Sequence, residues 1–311
     1  MIERLVSGRR QPTTTEVGPG DDAAVVRCAD GRTVISTDML IEGRHFRLDW
    51  STPHDIGRKA IAQNAADIEA MGARPTAFVV AFGAPAHTPA ADAAALADGM
   101  WAEAGRLGAG VVGGDLVQAD SWVVSVTVLG DLAGRAPVLR SGARPGATLA
   151  VTGDLGRSAA GLRLLRDGVA GSGSFDDLRR RHLVPQPPYG QGVVAAGAAA
   201  QAMTDVSDGL IADLRHLATA SAVTIDVFTA ALAADHRALA AAGAAAGADP
   251  WSWVLGGGED HALVAVFPAA VPDGWRVIGR VADGPARVLV DGAPWGGEAG
   301  WQSYESGAPI R

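Results

Sequence analysis

The sequence has 311 residues, with 26 basic and 34 acidic side chains for a formal net charge of −8, one cysteine and a 48% hydrophobic share. The length predicts about two domains, each with enough apolar residues for a core, and a 19% charged share is too low for a disordered chain. The acidic balance argues against a nucleic-acid partner, the single Cys28 excludes an intrachain disulfide or a multi-cysteine metal centre, and no apolar run approaches the roughly 18 residues of a membrane-spanning helix.

In chain order, the opening MIERLVSGRR is charged and lacks an apolar stretch, so it does not read as a secretory signal. The expectation is a soluble, cytoplasmic protein with no membrane partner. AAVVR (23–27) reads as a strand, and TVISTD (33–38) as a short β-rich run ending in polar residues. From Thr52 the period changes: Thr-Pro-His-Asp offers an N-cap, a first-turn proline and an acid. Ile56, Ala60, Ile61, Ala65, Ile68 and Met71 then recur at helical spacing until Gly72. A strand TAFVVAFG (76–83) follows, then a helix from Thr88-Pro89 to Gly108, then strands VVGGD (111–115) and SWVVSVTVLG (121–130).

RSGARPGA (140–147) breaks the pattern, and the predicted domains are 1–139 and 140–311. The second half repeats the alternation: strand TLAVTG (148–153), helix 156–167, a Gly/Ser linker at 171–174, and helices around 190–202 and 209–220. Strands VTIDVF (223–228), HALVAVF (261–267), WRVIGRV (275–281) and RVLVDG (287–292) complete two mixed α/β halves without a tight repeat.

The chemistry is written in aspartates. Five segments set acids beside glycine or small polar residues: GPGDDAAVV (18–26), STD (36–38), GGD (113–115), TDVSDG (204–209) and GGGED (256–260). The predicted helix 53–71 adds Asn64 and Asp67, three apart on nearly one face. Any one segment is as readily a plain turn; five in one chain are not. Carboxylates sharing a pocket repel each other unless cations offset them, and hard divalent ions such as Mg²⁺ take carboxylate, phosphate and water oxygens. The pattern therefore predicts a metal-bridged phosphate ligand.

GPGDDA matches the loose dinucleotide-binding glycine pattern, but Asp21 and Asp22 would face the pyrophosphate and no helix follows. No Walker lysine motif is present, because Lys59 is the only lysine and lies in a predicted helix without a glycine loop. The seven histidines lack metal spacing; His45, seven residues after Asp38 in EGRHF, is the one retained. No G-x-S-x-G elbow supports a serine hydrolase.

Taken together, GPGDDAAVV, STDMLIEGRHF, KAIAQNAADIEAMGARP, VVGGD, RSGARPG, VTGDLGRSAAGL, RHLVPQPP, DVSDGLIADL and GGGEDHAL resemble the thiamine-monophosphate kinase family. That family stands within the superfamily of aminoimidazole ribonucleotide synthetase and selenophosphate synthetase. The resemblance implies a two-domain α/β fold of the aminoimidazole ribonucleotide synthetase type and a homodimer joined through the N-terminal sheets. It also implies ATP- and Mg²⁺-dependent phosphorylation of thiamine monophosphate to thiamine diphosphate. Carried over by position, the implied metal ligands are Asp22, Ser36, Thr37, Asp38, Asp67, Asp115, Asp205 and Asp208. Gly114, Asp115, Arg140 and Ser207 would hold ATP; His45, Glu259 and Tyr304 would face the substrate, with Trp301 the rival to Tyr304.

No catalytic side chain is implied. The acceptor is a phosphate oxygen, largely ionised near neutrality because its second pKa is about 6, so no general base is required. The work is positioning and charge neutralisation. The alternatives are a sister enzyme of the superfamily with another substrate, or a non-catalytic nucleotide-binding module. The chain ends GAPIR, without the C-terminal cysteine of the hydrogenase-maturation members, and Cys28 follows the aspartate loop, not the pattern of the selenophosphate synthetases.

Overall fold

The computed structural model describes residues 8–17, 23–169 and 175–301, which divide into two compact units. The first comprises residues up to Pro137 together with Leu183–Gly197; the second comprises Val138–His182 and the chain from Ala198 onward. The sequence-based break between 139 and 140 falls two residues beyond Pro137, and the segment 183–197 groups with the first unit. A physical reason is visible. The buried Glu69 carboxylate accepts the Gly190 and Gly192 N–H groups at 2.8 and 2.9 Å, and Tyr189 donates to the buried Glu103 at 2.8 Å.

In the first unit, β1 (Thr15–Val17) and β2 (Val25–Val26) form a small antiparallel pair. β3 (Val34–Ile41), α1 (Pro53–Ala70), β4 (Arg74–Ala84), α2 (Ala90–Arg106), β5 (Gly110–Gln118) and β6 (Val123–Asp131) follow. The larger sheet has the order β3-β6-β4-β5, antiparallel except for β4 and β5. α1 starts where expected: Thr52 accepts the Asp55 N–H at 3.1 Å, Pro53 opens the first turn, and Gly72 follows in the left-handed region. Its apolar face buries Ile56, Ile61 and Ile68 completely against the sheet, each contributing about 1.5–3 kcal/mol of transfer free energy. α2 packs on α1 at Gly99, where a Cβ would lie 1.9 Å from the His54 carbonyl oxygen, so only glycine allows that approach.

The opposite face of this sheet is uncovered among the described residues. Alternation sends Ile35, Met39, Val79 and Val117 outward, and all four are exposed, Ile35 by 62%.

In the second unit, β7 (Thr148–Thr152), α3 (Arg157–Arg166) and α4 (Asp176–Leu183) precede α5 (Gln191–Gly197), which belongs to the first unit. The remainder is β8 (Ala202–Asp205), α6 (Leu210–Ser221), β9 (Thr224–Val227), α7 (Thr229–Ala246), α8 (Pro250–Gly256), β10 (Leu263–Phe267), β11 (Arg276–Ala282), β12 (Arg287–Val290) and β13 (Ala293–Pro294). They build a mixed seven-stranded sheet in the order β13-β12-β9-β11-β7-β10-β8. β10 is buried at all five positions, which fits its uninterrupted apolar text. α3, α6, α7 and α8 share one apolar core with the sheet.

Some expectations are corrected. The predicted helix 190–202 ends at Gly197, a turn follows, and β8 begins at Ala202. α4, α7 and α8 were not anticipated; α7 is alanine on nearly every side, so it has propensity without a clear apolar period. No helix among the described residues is long and apolar enough to cross a membrane.

Candidate active site

In the first unit, α1 carries a polar row on its buried flank. Lys59, Gln63 and Asp67 stand at i, i+4 and i+8, with Asn64 beside them. The row runs along β3 and the loop after it. Ser36 Oγ donates to Asp67 Oδ2 at 2.6 Å. Asn64 Oδ1 accepts the Asp38 N–H at 3.0 Å while its own Nδ2 is held by the Ala60 carbonyl, and Gln63 Nε2 stands 3.4 Å from Asp38 Oδ2. Lys59 Nζ donates to the His45 carbonyl at 2.9 Å. Ser36, Asp38, Asp67 and His45 are therefore served by one helix.

Thr37 and Asp115 lie elsewhere. Thr37 points to the outer face of the sheet, where its Oγ1 donates to the Val126 carbonyl at 2.9 Å. The short runs STD and GGD suggest that Asp38 and Asp115 end their strands and aim into a common cleft, but β3 runs on to Ile41 and β5 to Gln118. The two residues sit on the opposite edge strands, Asp115 in the outward row with Ala81, so the chain's own fold does not aim the two carboxylates into one cleft. Gly114 lies so close to β4 that a Cβ would sit 2.1 Å from the Val80 carbonyl oxygen, which gives the second glycine of GGD a structural cause. Asp22 lies outside the described residues.

In the second unit the functional text gathers around the loop from β8 to α6. One carboxylate organises it: Asp213 Oδ2 accepts the N–H groups of Ser207, Asp208 and Gly209 at 3.0–3.1 Å. Burial, followed by the charges of Asp205 and Asp208, raises the Asp213 pKa to about 7. The 259–262 segment runs alongside: the Glu259 N–H donates to Ser207 O, and the His261 N–H to Val206 O. Buried Asp205 meets His261 Nδ1 at 3.1 Å. Asp205, Ser207, Asp208 and Glu259 are thus brought together.

Glu259 and His261 both adopt positive φ, 64° and 54°, a conformation unusual outside glycine and kept where a site over-determines it. The Glu259 carboxylate faces His182 Nδ1 at 3.4 Å, and Ser158 Oγ reaches the same nitrogen at 3.1 Å. Next to it, buried Asp260 accepts the Gly156 and Ser158 N–H groups at 2.6 and 2.7 Å, capping the start of α3. Arg140 is exposed; its carbonyl accepts the Ser221 hydroxyl. Tyr304 lies outside the described residues, whereas Trp301 is exposed and tethered by its N–H to the Asp208 carbonyl at 2.9 Å.

Several contributors were given no role from sequence: Lys59, Asp213, Ser158, His182, Asp260, His261 and His216. Asp208, Asp213 and His216 bring one potential ligand atom each within 4.8 Å of one another. Asp213 and His216 are three apart on α6, a helical spacing that could have flagged them. The donors at the matched acidic positions are carboxylate and hydroxyl oxygens, the chemistry of a hard cation such as Mg²⁺ and not of a soft metal. The three-acid repulsion around Asp213 is what a bound cation would relieve.

A family model, "AIR synthase related protein, N-terminal domain", matches residues 20–132. The curated thiamine-monophosphate kinase of Mycobacterium tuberculosis is 71% identical over 304 residues, covering 98% of this chain and 90% of the relative. That of Corynebacterium glutamicum is 47% identical, covering 92% and 88%. Among solved structures, AaThiL complexed with AMPPCP and TMP superposes with a TM-score of 0.80 at 31% identity, covering 91% of each chain. The chain has the aminoimidazole ribonucleotide synthetase-like fold and belongs to the thiamine-monophosphate kinase family.

Proposed function

We propose that the protein transfers the γ-phosphoryl group of ATP to thiamine monophosphate, giving thiamine diphosphate and ADP. The near full-length identity to curated kinases carries this reading, and the geometry supports it. Oxygen donors cluster in each unit, and the reaction asks for positioned anions and not for a base. Ser36, Asp38 and Asp67 on the helix-covered face of the first unit's sheet, Thr37 and Asp115 on its outer face, Asp22 of the GPGDDA segment, and Asp205 and Asp208 in the second unit would hold more than one Mg²⁺ ion. Bound there, Mg²⁺ supplies neutralisation of the phosphate charges.

The chain's own groups do the rest. Gly114, Asp115, Arg140 and Ser207 would hold the nucleotide, Arg140 as a cation for phosphate oxygens. His45 would face the phosphate end of thiamine monophosphate. Glu259, fixed by its backbone, would offer a carboxylate to the cationic thiazolium, and Tyr304 or Trp301 an aromatic face. No side chain acts as acid, base or nucleophile.

The exposed apolar face carrying Ile35, Met39, Val79 and Val117 fits a homodimer joined through the first unit's sheet. Reliance on ATP supports a cytoplasmic location. The test is to incubate the protein with ATP, Mg²⁺ and thiamine monophosphate and follow thiamine diphosphate by chromatography. Binding of ATP without product would reject the kinase reading in favour of a non-catalytic nucleotide-binding module.

A further inference from the structure

We propose that Lys59 is a positioning residue that sets the pose of His45 toward the acceptor phosphate; this rests on the kinase reading above. Lys59 is the only lysine against 25 arginines, and it is 2% exposed on α1. Taking an ammonium out of water is costly unless its donors are satisfied. One of them goes to the His45 main-chain oxygen at 2.9 Å.

His45 sits in a turn closed on itself. Its N–H and that of Arg44 both donate to the Ile41 carbonyl, and the Gly43 N–H donates to that of Phe46, whose ring is buried. The ring is oriented as well: the Ile41 N–H donates to His45 Nδ1 at 3.0 Å. A backbone amide only donates, so Nδ1 is the acceptor and cannot carry the proton. The neutral ring in this pose has its proton on Nε2, which makes Nε2 a donor, suited to an anionic phosphate oxygen.

The turn fixes the ring's tautomer, and Lys59 ties the turn to α1. The same helix holds Ser36 through Asp67 and Asp38 through Asn64. Lys59 therefore sets how far the His45 donor stands from the Asp38 carboxylate on β3. A compact ammonium on a flexible stem suits a single carbonyl in closed space, where a planar five-donor guanidinium does not.

The experiment is a kinetic double-mutant cycle on the full chain with wild type, Lys59→Met, His45→Ala and the double variant. Each single change is expected to raise the KM for thiamine monophosphate about tenfold while the KM for ATP stays within about twofold, and the double variant should be no worse than His45→Ala alone. If Lys59→Met does not fold, Lys59→Arg carries the same cycle, since its longer head must displace the His45 carbonyl. Multiplying losses, or an ATP KM that rises in step, would overturn the inference while leaving the kinase reading intact. A wild-type protein that binds ATP but never phosphorylates thiamine monophosphate would overturn both.

Discussion

Ser36 on β3 and Asp67 on α1, 31 residues apart, are joined by a 2.6 Å hydrogen bond from the Ser36 hydroxyl to Asp67 Oδ2. The hydroxyl occupies one lone pair of the carboxylate and fixes its plane, leaving acceptor capacity for a cation. Asp67→Asn keeps the size and removes the charge. Under the metal assignment, Asp67→Asn, Asp38→Asn and Asp115→Asn should each lose at least about tenfold in kcat/KM, about 1.4 kcal/mol of transition-state stabilisation. Near-normal turnover of Asp115→Asn at saturating Mg²⁺ would remove it from the ligands.

The legible parts of this chain are those with a period or a cap. α1 could be read from Thr52 to Gly72 because cap, proline and apolar spacing agree, and β6 because alternation survives in the folded burial pattern. The acidic motifs were legible as text, but not where they point. Asp38 and Asp115 look alike in STD and GGD, yet strand order sets them on opposite edges, and strand order is a property of long-range pairing. Lys59 was weighed only as a phosphate-loop lysine and set aside because no glycine loop precedes it. Its burial depends on the His45 turn, 14 residues earlier in the chain, folding back onto it. Asp213 and Asp260 act on backbone N–H groups, a role that leaves no mark in side-chain spacing.

Asp213 is the clearest test of that last role. Replacing it with alanine leaves the Ser207, Asp208 and Gly209 N–H groups without their acceptor. The expected cost is about 1–3 kcal/mol in chemical denaturation, together with weaker ATP binding because Ser207 and Asp208 lie in the loosened loop. Asp213→Asn retains an oxygen and should cost less. Equal stability of the alanine variant and wild type would show that the loop is held by other contacts.

Asp260 predicts a pH dependence. Its carboxyl is raised to about 7, first by burial and against the pull of the Ser158 and Gly156 N–H groups. A raised folded pKa means that the unfolded chain ionises first, near its usual value of about 3.9. The favourable contribution of the protonated group is complete below that value and is lost as pH rises through about 7. Wild type should therefore lose stability relative to Asp260→Asn between about pH 4 and 7 and level off above that, read from urea midpoints. A difference that stays constant with pH would contradict the raised value.

On the outer face of the first unit's sheet, Ile35 and Met39 are four residues apart on β3 and both exposed. If that face joins two copies, Ile35→Glu should convert a dimer to a monomer in sedimentation velocity without changing the far-ultraviolet spectrum, since a charge there would be desolvated without a partner. A wild-type protein that sediments as a monomer at assay concentration would dismiss the homodimer.

The acceptor in the proposed reaction is already an anion, so transfer should be direct, within a ternary complex of enzyme, ATP and thiamine monophosphate. A phosphoenzyme would need a nucleophilic side chain. The matched aspartates are committed to metal in this reading, and the His45 Nδ1 lone pair accepts the Ile41 N–H, which puts the ring proton on Nε2 and leaves neither nitrogen with a free lone pair for attack. Initial-rate plots with both substrates varied should give intersecting lines, and γ-labelled ATP alone should leave no phosphate on the protein. Unphosphorylated thiamine should also fail as acceptor, because its hydroxyl needs a base that the site does not provide. Parallel lines with stoichiometric labelling would establish a covalent intermediate, and loss of that label in His45→Ala would identify its carrier.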